Sequence, residues 1–166
     1  DEYTAKFRKT RDLIEAGDIY QTNLSFRSRF ASIGDAATLY VRLREHSKVA
    51  HGAYLHDGKR HILSLSPELF FSISSDGKIV AKPMKGTAPR STDSIEDDTF
   101  RRTLQNSIKD RAENLMIVDL LRNDLGRVGV TGSVSVEDLF TVESYPTVHQ
   151  MVSTVRTQMK PGVSVD

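Results

Sequence analysis

A lysine set among prolines and a glycine is the first feature of this sequence that could do chemistry. Lys85 lies in the segment 82–90, where two prolines restrict the backbone and Gly86 frees it. A lysine amine is a nucleophile only where burial or a nearby cation keeps it neutral. The N–H groups of Gly86 and Thr87 are suited to bind a carboxylate. We predict that this segment, fixed at a strand exit, presents Lys85 to a ligand; a surface turn with solvated lysines is the alternative.

Two carboxylates in a helical pattern form a second candidate cluster. Asp110 and Glu113 are three residues apart and therefore share one face of a helix. Converging carboxylates suit a hard cation such as Mg²⁺. The alternative is a charged face turned to solvent.

Glu68 and His149 are further candidates, each next to a strand-like run. A carboxylate in apolar surroundings has a raised pKa and can act as a general acid, which is the role open to Glu68. An outward-facing carboxylate is its alternative. His149 follows a Tyr-Pro turn, and a structural or exposed histidine is the alternative to a catalytic one.

The elements that must position these side chains are indicated by hydrophobic periodicity and turn signals. In chain order we predict a helix at 3–16, a half-buried strand at 18–30, a helix at 36–45, strands at 50–56, 61–65, 69–73 and 78–81, a loop at 91–97, a helix at 99–125 closed by Gly126, and strands at 133–142 and 148–157. The Asp-Gly turns at 57–58 and 76–77 predict antiparallel hairpins in a meander. The long helix has an apolar stripe of Leu115, Val118, Leu121 and Leu125. Strands and helices are segregated, so the predicted fold class is α+β with largely antiparallel sheets and flanking helices.

Composition excludes several classes of function. The net charge is +1 over 166 residues, so nucleic acid and anionic membranes are not expected partners. No apolar run approaches the roughly 20 residues that span a bilayer. The chain has no cysteine, which rules out a thiolate zinc site and a cysteine nucleophile and fits a cytoplasmic location. It begins at Asp1 without a methionine, and we expect a piece of a longer protein whose exposed strand edges favour self-association.

Four blocks, in this order, closely resemble the chorismate-utilising enzyme family. They are residues 66–68, 82–87, 110–128 and 148–153, and the similarity begins near residue 17. Members of this family include anthranilate synthases, aminodeoxychorismate synthases, isochorismate synthases and salicylate synthases. The resemblance implies the sheet sandwich of that family. It also implies that residues 1–166 form the N-terminal and central part of its chorismate-binding catalytic domain, truncated at both ends.

Two positions of the chain, compared with the family, imply the branch to which it belongs. Isochorismate and salicylate synthases typically have a lysine that activates water where this chain has Gln21, so ammonia is the implied nucleophile. Anthranilate synthases typically have alanine at the position of Lys85. Lys85 therefore implies amination of chorismate at C4, as in para-aminobenzoate and folate formation. Anthranilate synthesis and a noncatalytic lobe that binds chorismate or a partner are the alternatives, and a nucleic-acid-binding module is a distant third.

The resemblance also implies the remaining roles. Lys85 corresponds to a covalent nucleophile, Glu68 to the general acid, and His149 to a histidine beside the ring. Gly86, Thr87 and Gln21 correspond to substrate contacts. Glu113 corresponds to a Mg²⁺ ligand, with Asp110 in the outer sphere, and a glutamine amidotransferase subunit would supply ammonia. Since the family's second metal-binding glutamate is expected after residue 166, we expect these 166 residues alone not to turn over chorismate.

Overall fold

The computed structural model describes residues 1–31 and 33–164, and these form two compact units, Asp1–Asp35 and Ala36–Asp166. The first unit holds helix α1 (Glu2–Glu15), whose N-cap Asp1 accepts a hydrogen bond from the Thr4 N–H at 2.8 Å. This confirms the predicted first helix. The predicted strand at 18–30 is wrong, because these residues are irregular and pair with none of the described strands. A strand needs partners for its backbone groups, which alternation in sequence does not supply.

The second unit confirms the α+β class and most predicted elements. Its elements are α2 (Ala36–Ser47), β1 (His51–His56), β2 (His61–Ser66), β3 (Leu69–Ile73), β4 (Lys78–Lys82), β5 (Met84–Pro89), α3 (Ser94–Asn106), α4 (Ile108–Val128), β6 (Ser135–Ser144) and β7 (Val148–Gln158). All strand pairs are antiparallel. The predicted meander is two separate pairs, because β1–β2 forms its own sheet while β3–β4 joins a five-stranded one.

Strand β7 lies at the centre of the five-stranded sheet. Strands β4 and β5 lie end to end along one side of β7, with Ala81 opposite Val155 and Met84 opposite Val152. Strand β6 pairs with the other side. Strand β7 therefore sets the register of all three neighbours, including the strand that carries Lys85.

Helix α4 packs across this sheet and closes the hydrophobic core. Val118 and Leu125 are buried at 1% and 8% exposure, against Ile79, Ala81 and Val155 of the sheet. Apolar burial of this kind contributes about 25 cal/mol per Å². The predicted stripe is wrong at its N-terminal end, where Leu115 is 43% exposed.

The predicted single helix at 99–125 is two helices with a break at Ser107. Ser107 has extended backbone angles, and its hydroxyl accepts a hydrogen bond from the Asp110 N–H at 3.2 Å, which caps α4. The predicted stop at Gly126 is also wrong, since α4 continues to Val128 and is capped by Gly129. None of the helices in the described part of the chain combines the length and the apolar character of a membrane span.

Candidate active site

The segment around Lys85 is a bulged strand that begins just after β4 ends, and not the surface turn that was the alternative. Three residue steps from Met84 to Thr87 lie opposite two steps of β7, so β5 contains one extra residue. Gly86 in this bulge has a φ of +95°, a conformation that glycine adopts without the strain of a side chain. Bulges redirect side chains and are common beside active sites. The Pro-Met-Lys-Gly-Thr sequence thus places Lys85 at an irregularity in an otherwise regular sheet.

Glu68 is held next to this bulge by a backbone hydrogen bond. Its Oε1 accepts from the Met84 N–H at 3.0 Å, across a sequence separation of 16 residues. The preceding turn is fixed by Ser66, whose hydroxyl accepts from the Glu68 N–H at 3.2 Å and donates to the Glu68 carbonyl at 3.1 Å. The side chain is half-buried and borders a cavity of about 340 Å³ with Pro83. The structure therefore places Glu68 beside the residue that precedes Lys85.

The two lysines of the segment have different surroundings. Lys82 forms an ion pair with Glu143, with Nζ and Oε1 2.7 Å apart. Lys85 is half-buried, and within residues 1–31 and 33–164 no hydrogen bond or ion pair engages its ammonium group. Lys82 thus has a structural partner, while Lys85 is left available to a ligand.

The Lys82 ion pair is part of a small polar cluster. The Tyr145 hydroxyl donates to Glu143 Oε2 at 2.6 Å. Burial acts to raise the pKa of Glu143, but the hydrogen bonds from Lys82 and Tyr145 outweigh it and the pKa is lowered. Burial, together with the hydrogen bond to Glu143, raises the pKa of Tyr145 to about 12. Glu143 therefore stays ionised and keeps Lys82 in place.

The carboxylate of Asp110 lies against the bulge. A Cβ atom built on Gly86 would lie 2.9 Å from the Asp110 Cβ and 3.1 Å from Leu104 Cδ1. Glu113, one helical turn further along α4, is half-buried, with Oε1 3.7 Å from the Nζ of Lys109. The described part of the chain contains no group of three or more metal-ligating side chains. Of the two predicted metal ligands, the structure places Asp110 against the bulge of β5 and Glu113 further along α4, and the metal site stays a prediction.

A buried asparagine that the sequence analysis missed fixes α4 on the sheet. Asn114 is 0% exposed, its Nδ2 donates to the Met151 carbonyl at 3.3 Å, and its Oδ1 accepts from the Ser153 hydroxyl at 2.6 Å. Ser153 also accepts from the Phe140 N–H at 3.1 Å. These bonds set the rotation of α4 and so the direction of its acidic residues. The sequence signal that could have indicated its burial was the position of this polar residue next to the apolar stripe of α4.

Strand β6, which lies on the other side of β7 from β5, is a second irregular strand. Asp138 and Phe140 of β6 have φ values of 51° and 61°, where the register of β6 against β7 shifts. This places the Phe140 ring under Arg111 of α4, with 4.6 Å from the guanidinium carbon to the ring centroid. A cation over an aromatic face is stabilising. Arg111 is therefore tied to β6 while its neighbour Asp110 lies towards β5.

His149 is buried with both ring nitrogens engaged. Its exposure is 1%, its Nε2 lies 3.0 Å from Asp97 Oδ1, and its Nδ1 lies 2.9 Å from the Ser144 hydroxyl. Asp97 is also paired with Arg90 through two hydrogen bonds of 2.8 and 3.0 Å. The Arg90 guanidinium holds the pKa of Asp97 well below its usual range. No local sequence signal indicated these partners, because Asp97 and His149 are 52 residues apart.

The structure brings most of the predicted site residues together. Lys85, Gly86 and Thr87 share β5, Glu68 and Asp110 contact that segment, and His149 lies opposite Ala88 on β7. Thr87 is exposed and its hydroxyl donates to Gln150 Oε1 at 3.1 Å. Gln21 belongs to the first unit, where it is exposed in an irregular segment, and its substrate contact stays a prediction. An apolar groove of about 260 Å³ beneath Phe70 contains none of the predicted site residues.

Comparisons with known proteins point to chorismate enzymes, as the resemblance of the sequence does. The family described as chorismate binding enzyme matches residues 1–165. The chain is similar to aminodeoxychorismate synthase component 1 of Escherichia coli K12, with 45% identity over 96% of this chain and 35% of that protein. It is also similar to the protein of that name from Salmonella typhimurium LT2, with 48% identity over 95% of this chain and 35% of the relative. The chain thus spans about a third of the length of these relatives.

A solved structure shows a similar fold. Anthranilate synthase component I from Streptococcus pneumoniae superposes with a TM-score of 0.77 at 25% identity, covering 98% of this chain and 35% of that one. The predicted relation to the anthranilate synthase sheet architecture is thereby confirmed.

Proposed function

Because this chain belongs to the chorismate binding enzyme family, we propose that the protein containing it aminates chorismate at C4 to give 4-amino-4-deoxychorismate. The observation that carries the proposal is Lys85, half-buried in a β-bulge and without a described partner, next in sequence to Met84, whose N–H binds the Glu68 carboxylate. The name of the two bacterial relatives supports the same reaction. Formation of para-aminobenzoate and folate, and a cytoplasmic location, belong to this proposal.

The chemistry divides a difficult substitution into two allylic steps. In its neutral form the Lys85 amine bonds through Nζ to C2 of chorismate, the ring double bonds shift, and the C4–O bond breaks. The hydroxyl takes the proton of Glu68 and leaves as water. Ammonia then bonds to C4, the double bonds shift back, and the C2–Nζ bond breaks to free Lys85. The new ammonium returns one proton to Glu68, so atoms and charges balance.

The residues around β5 fit a magnesium ion and the carboxylates of the substrate. Mg²⁺ is usually held by one or two protein carboxylates together with substrate oxygens and water. We propose Glu113 as its direct ligand and Asp110 as a partner through water, since Asp110 lies against Gly86. When bound, the ion would neutralise the ring carboxylate of chorismate. The hydroxyl of Thr87, oriented by Gln150, and the bulged backbone at Gly86 would contact the substrate.

A glutamine amidotransferase subunit is the proposed source of ammonia. The relatives are called component 1, which implies a second component. Gln21 is proposed to contact the substrate. Because its neutral amide cannot deprotonate water as a lysine can, ammonia is the proposed nucleophile. His149 is proposed to lie beside the ring, held by Asp97 and Ser144.

Replacement of Lys85 in the full-length protein is the test. With chorismate, Mg²⁺ and ammonium present, Lys85→Ala is expected to lower product formation by about 10³-fold or more, since the covalent step is lost. Without ammonia, the wild-type protein should carry chorismate minus water on the peptide containing Lys85, detected by mass spectrometry. Lys78→Ala, on the preceding strand β4, is the matched control and should keep full activity.

The similarity to anthranilate synthase component I favours a second candidate function. If the protein makes anthranilate, chromatography of the products will show it in place of 4-amino-4-deoxychorismate. Unchanged activity of Lys85→Ala would contradict the covalent route. Binding of chorismate without any product, measured by calorimetry on the full-length protein, would support a noncatalytic lobe.

A further inference from the structure

The carboxylate of Asp97 is engaged at both of its oxygens by groups from three other residues. Its Oδ1 accepts from Arg90 Nε at 2.8 Å and from the Ser91 N–H at 2.9 Å, and lies 3.0 Å from His149 Nε2. Its Oδ2 accepts from the second nitrogen of the Arg90 fork at 3.0 Å. Asp97 is only 18% exposed, and Arg90 also donates to the Tyr145 carbonyl at 2.6 Å. The carboxylate therefore has one fixed orientation.

An ionised carboxylate can only accept hydrogen bonds, so the histidine nitrogen that faces it must carry a proton. Asp97 stays ionised because the Arg90 guanidinium and the Ser91 N–H lower its pKa. His149 therefore has its proton on Nε2. In the neutral ring Nδ1 then carries the lone pair, which accepts from the Ser144 hydroxyl 2.9 Å away.

We propose that Asp97 is a positioning residue for His149: held by Arg90, it fixes the imidazole as the Nε2–H tautomer and leaves Nδ1 as the ring atom open to a further proton. The assignment rests on the proposed function and deepens it, because it states which atom of the buried His149 ring can exchange a proton through the Ser144 hydroxyl. Ser144 is exposed while the ring is buried. The Ser144 hydroxyl is thus the connection between Nδ1 and the outside of the protein.

The arrangement also joins three elements through one side chain. Asp97 belongs to α3, Arg90 follows β5, and His149 belongs to β7. Because the carboxylate contacts residues from all three, it sets the position of the imidazole relative to the strand of Lys85. Removal of the carboxylate that orients a metal-ligating histidine typically costs about 10- to 100-fold in activity, and we expect a loss of the same order for the oriented His149.

Nuclear magnetic resonance of the full-length protein labelled with ¹⁵N-histidine tests the assignment directly. The signals of His149 are identified by their loss in His149→Gln. In the wild-type protein near neutral pH, Nε2 should give the shift of a protonated nitrogen and Nδ1 that of an unprotonated one. In Asp97→Ala the two shifts should move towards an average, and in Asp97→Asn, which keeps an acceptor oxygen, the wild-type pattern should return. A wild-type Nδ1–H pattern overturns the proposal even if Asp97→Ala does not fold.

Kinetics provide the second readout and a matched control. Asp97→Ala should lower kcat for chorismate amination by roughly 10- to 100-fold with little change in KM, and Asp97→Asn should recover most of it. Asp98→Ala removes the next carboxylate of α3, which pairs with Arg101 and Arg102, and should change neither the spectrum nor kcat. If no variant aminates chorismate, the proposed function fails while the spectra still decide the tautomer. Unchanged spectra in Asp97→Ala overturn the positioning role alone.

Discussion

The two halves of helix α4 rest on the same sheet by different means. The C-terminal half packs through Val118 and Leu125 into an apolar core with Val155. The N-terminal half buries Asn114 and places Asp110 against a glycine in a bulge. Apolar packing is non-directional, whereas hydrogen bonds fix an orientation. The difference indicates that one half of the helix supplies stability and the other supplies the geometry of the candidate site.

The strongest test of this contrast is an added methyl group at Gly86. Gly86→Ala would put its Cβ 2.9 Å from the Asp110 Cβ at a φ of +95°. Since a displacement of about 1 Å in a site can cost about 100-fold in rate, kcat/KM should fall by about that factor. Gly132→Ala is the matched control, with φ +81° and open space around its Cβ. It should keep full activity despite a backbone cost of roughly 1–2 kcal/mol.

Removal of the Asn114 side chain should affect both stability and metal use. Asn114→Ala leaves the Met151 carbonyl and the Ser153 hydroxyl without this partner. We expect a loss of about 1–3 kcal/mol in the free energy of unfolding. The Mg²⁺ concentration at half-maximal rate should rise roughly 10-fold, because Glu113 loses its fixed orientation. Asn123→Ala, exposed on the same helix, should change neither quantity.

The C-terminal half should show the opposite behaviour. Val118→Ala is expected to lower the free energy of unfolding by about 2 kcal/mol, since two buried methyl groups are lost and a cavity remains. Chemical denaturation of the full-length protein measures this loss. The KM values of Val118→Ala for chorismate and for Mg²⁺ should stay unchanged. A shift in either value as large as that of Asn114→Ala would contradict the proposed difference between the two halves of α4. Leu115→Ala, at a 43% exposed position, should lower stability by less than about 1 kcal/mol.

The smallest expected effect concerns Tyr145, outside α4. Its pKa is about 12 in the folded protein because of burial and the hydrogen bond to Glu143, above the ordinary value near 10. The raised pKa adds stability that is fully present below about pH 10 and is lost as the pH rises towards 12. Alkaline titration of phenolate absorbance should show one late tyrosine that Tyr145→Phe removes. A late phenol that persists in this variant would contradict the assignment.

Local patterns in the sequence predicted elements better than they predicted partners. The Asp-Gly turns located both hairpins, because turn geometry depends on neighbouring residues. The stripe on α4 assigned Leu115 to the core, but Asn114 is buried in its place, because its hydrogen bonds to Met151 and Ser153 satisfy its amide. Burial of a polar side chain depends on partners that are far away in sequence.

The candidate site shows the same limit. The residue types around Lys85 indicated chemistry, and the segment was assigned to a strand exit because prolines and a glycine usually interrupt a strand. In the structure that segment is a strand whose irregularity is a bulge opposite β7. The partners of His149 were not predictable, since Asp97 fell in an expected loop and is in helix α3. The site depends on pairings between distant segments that no single window of sequence contains.

The central position of strand β7 has a consequence for synthesis on the ribosome. Strands β4, β5 and β6 all pair with β7, yet β7 is the last of them to be made. Until residues 148–158 leave the ribosome, the backbone groups and apolar faces of those earlier strands lack their shared neighbour. Pairing over such sequence distances is slow, and unpaired strands are prone to aggregate. We therefore expect the nascent chain to need protection by chaperones until β7 has emerged.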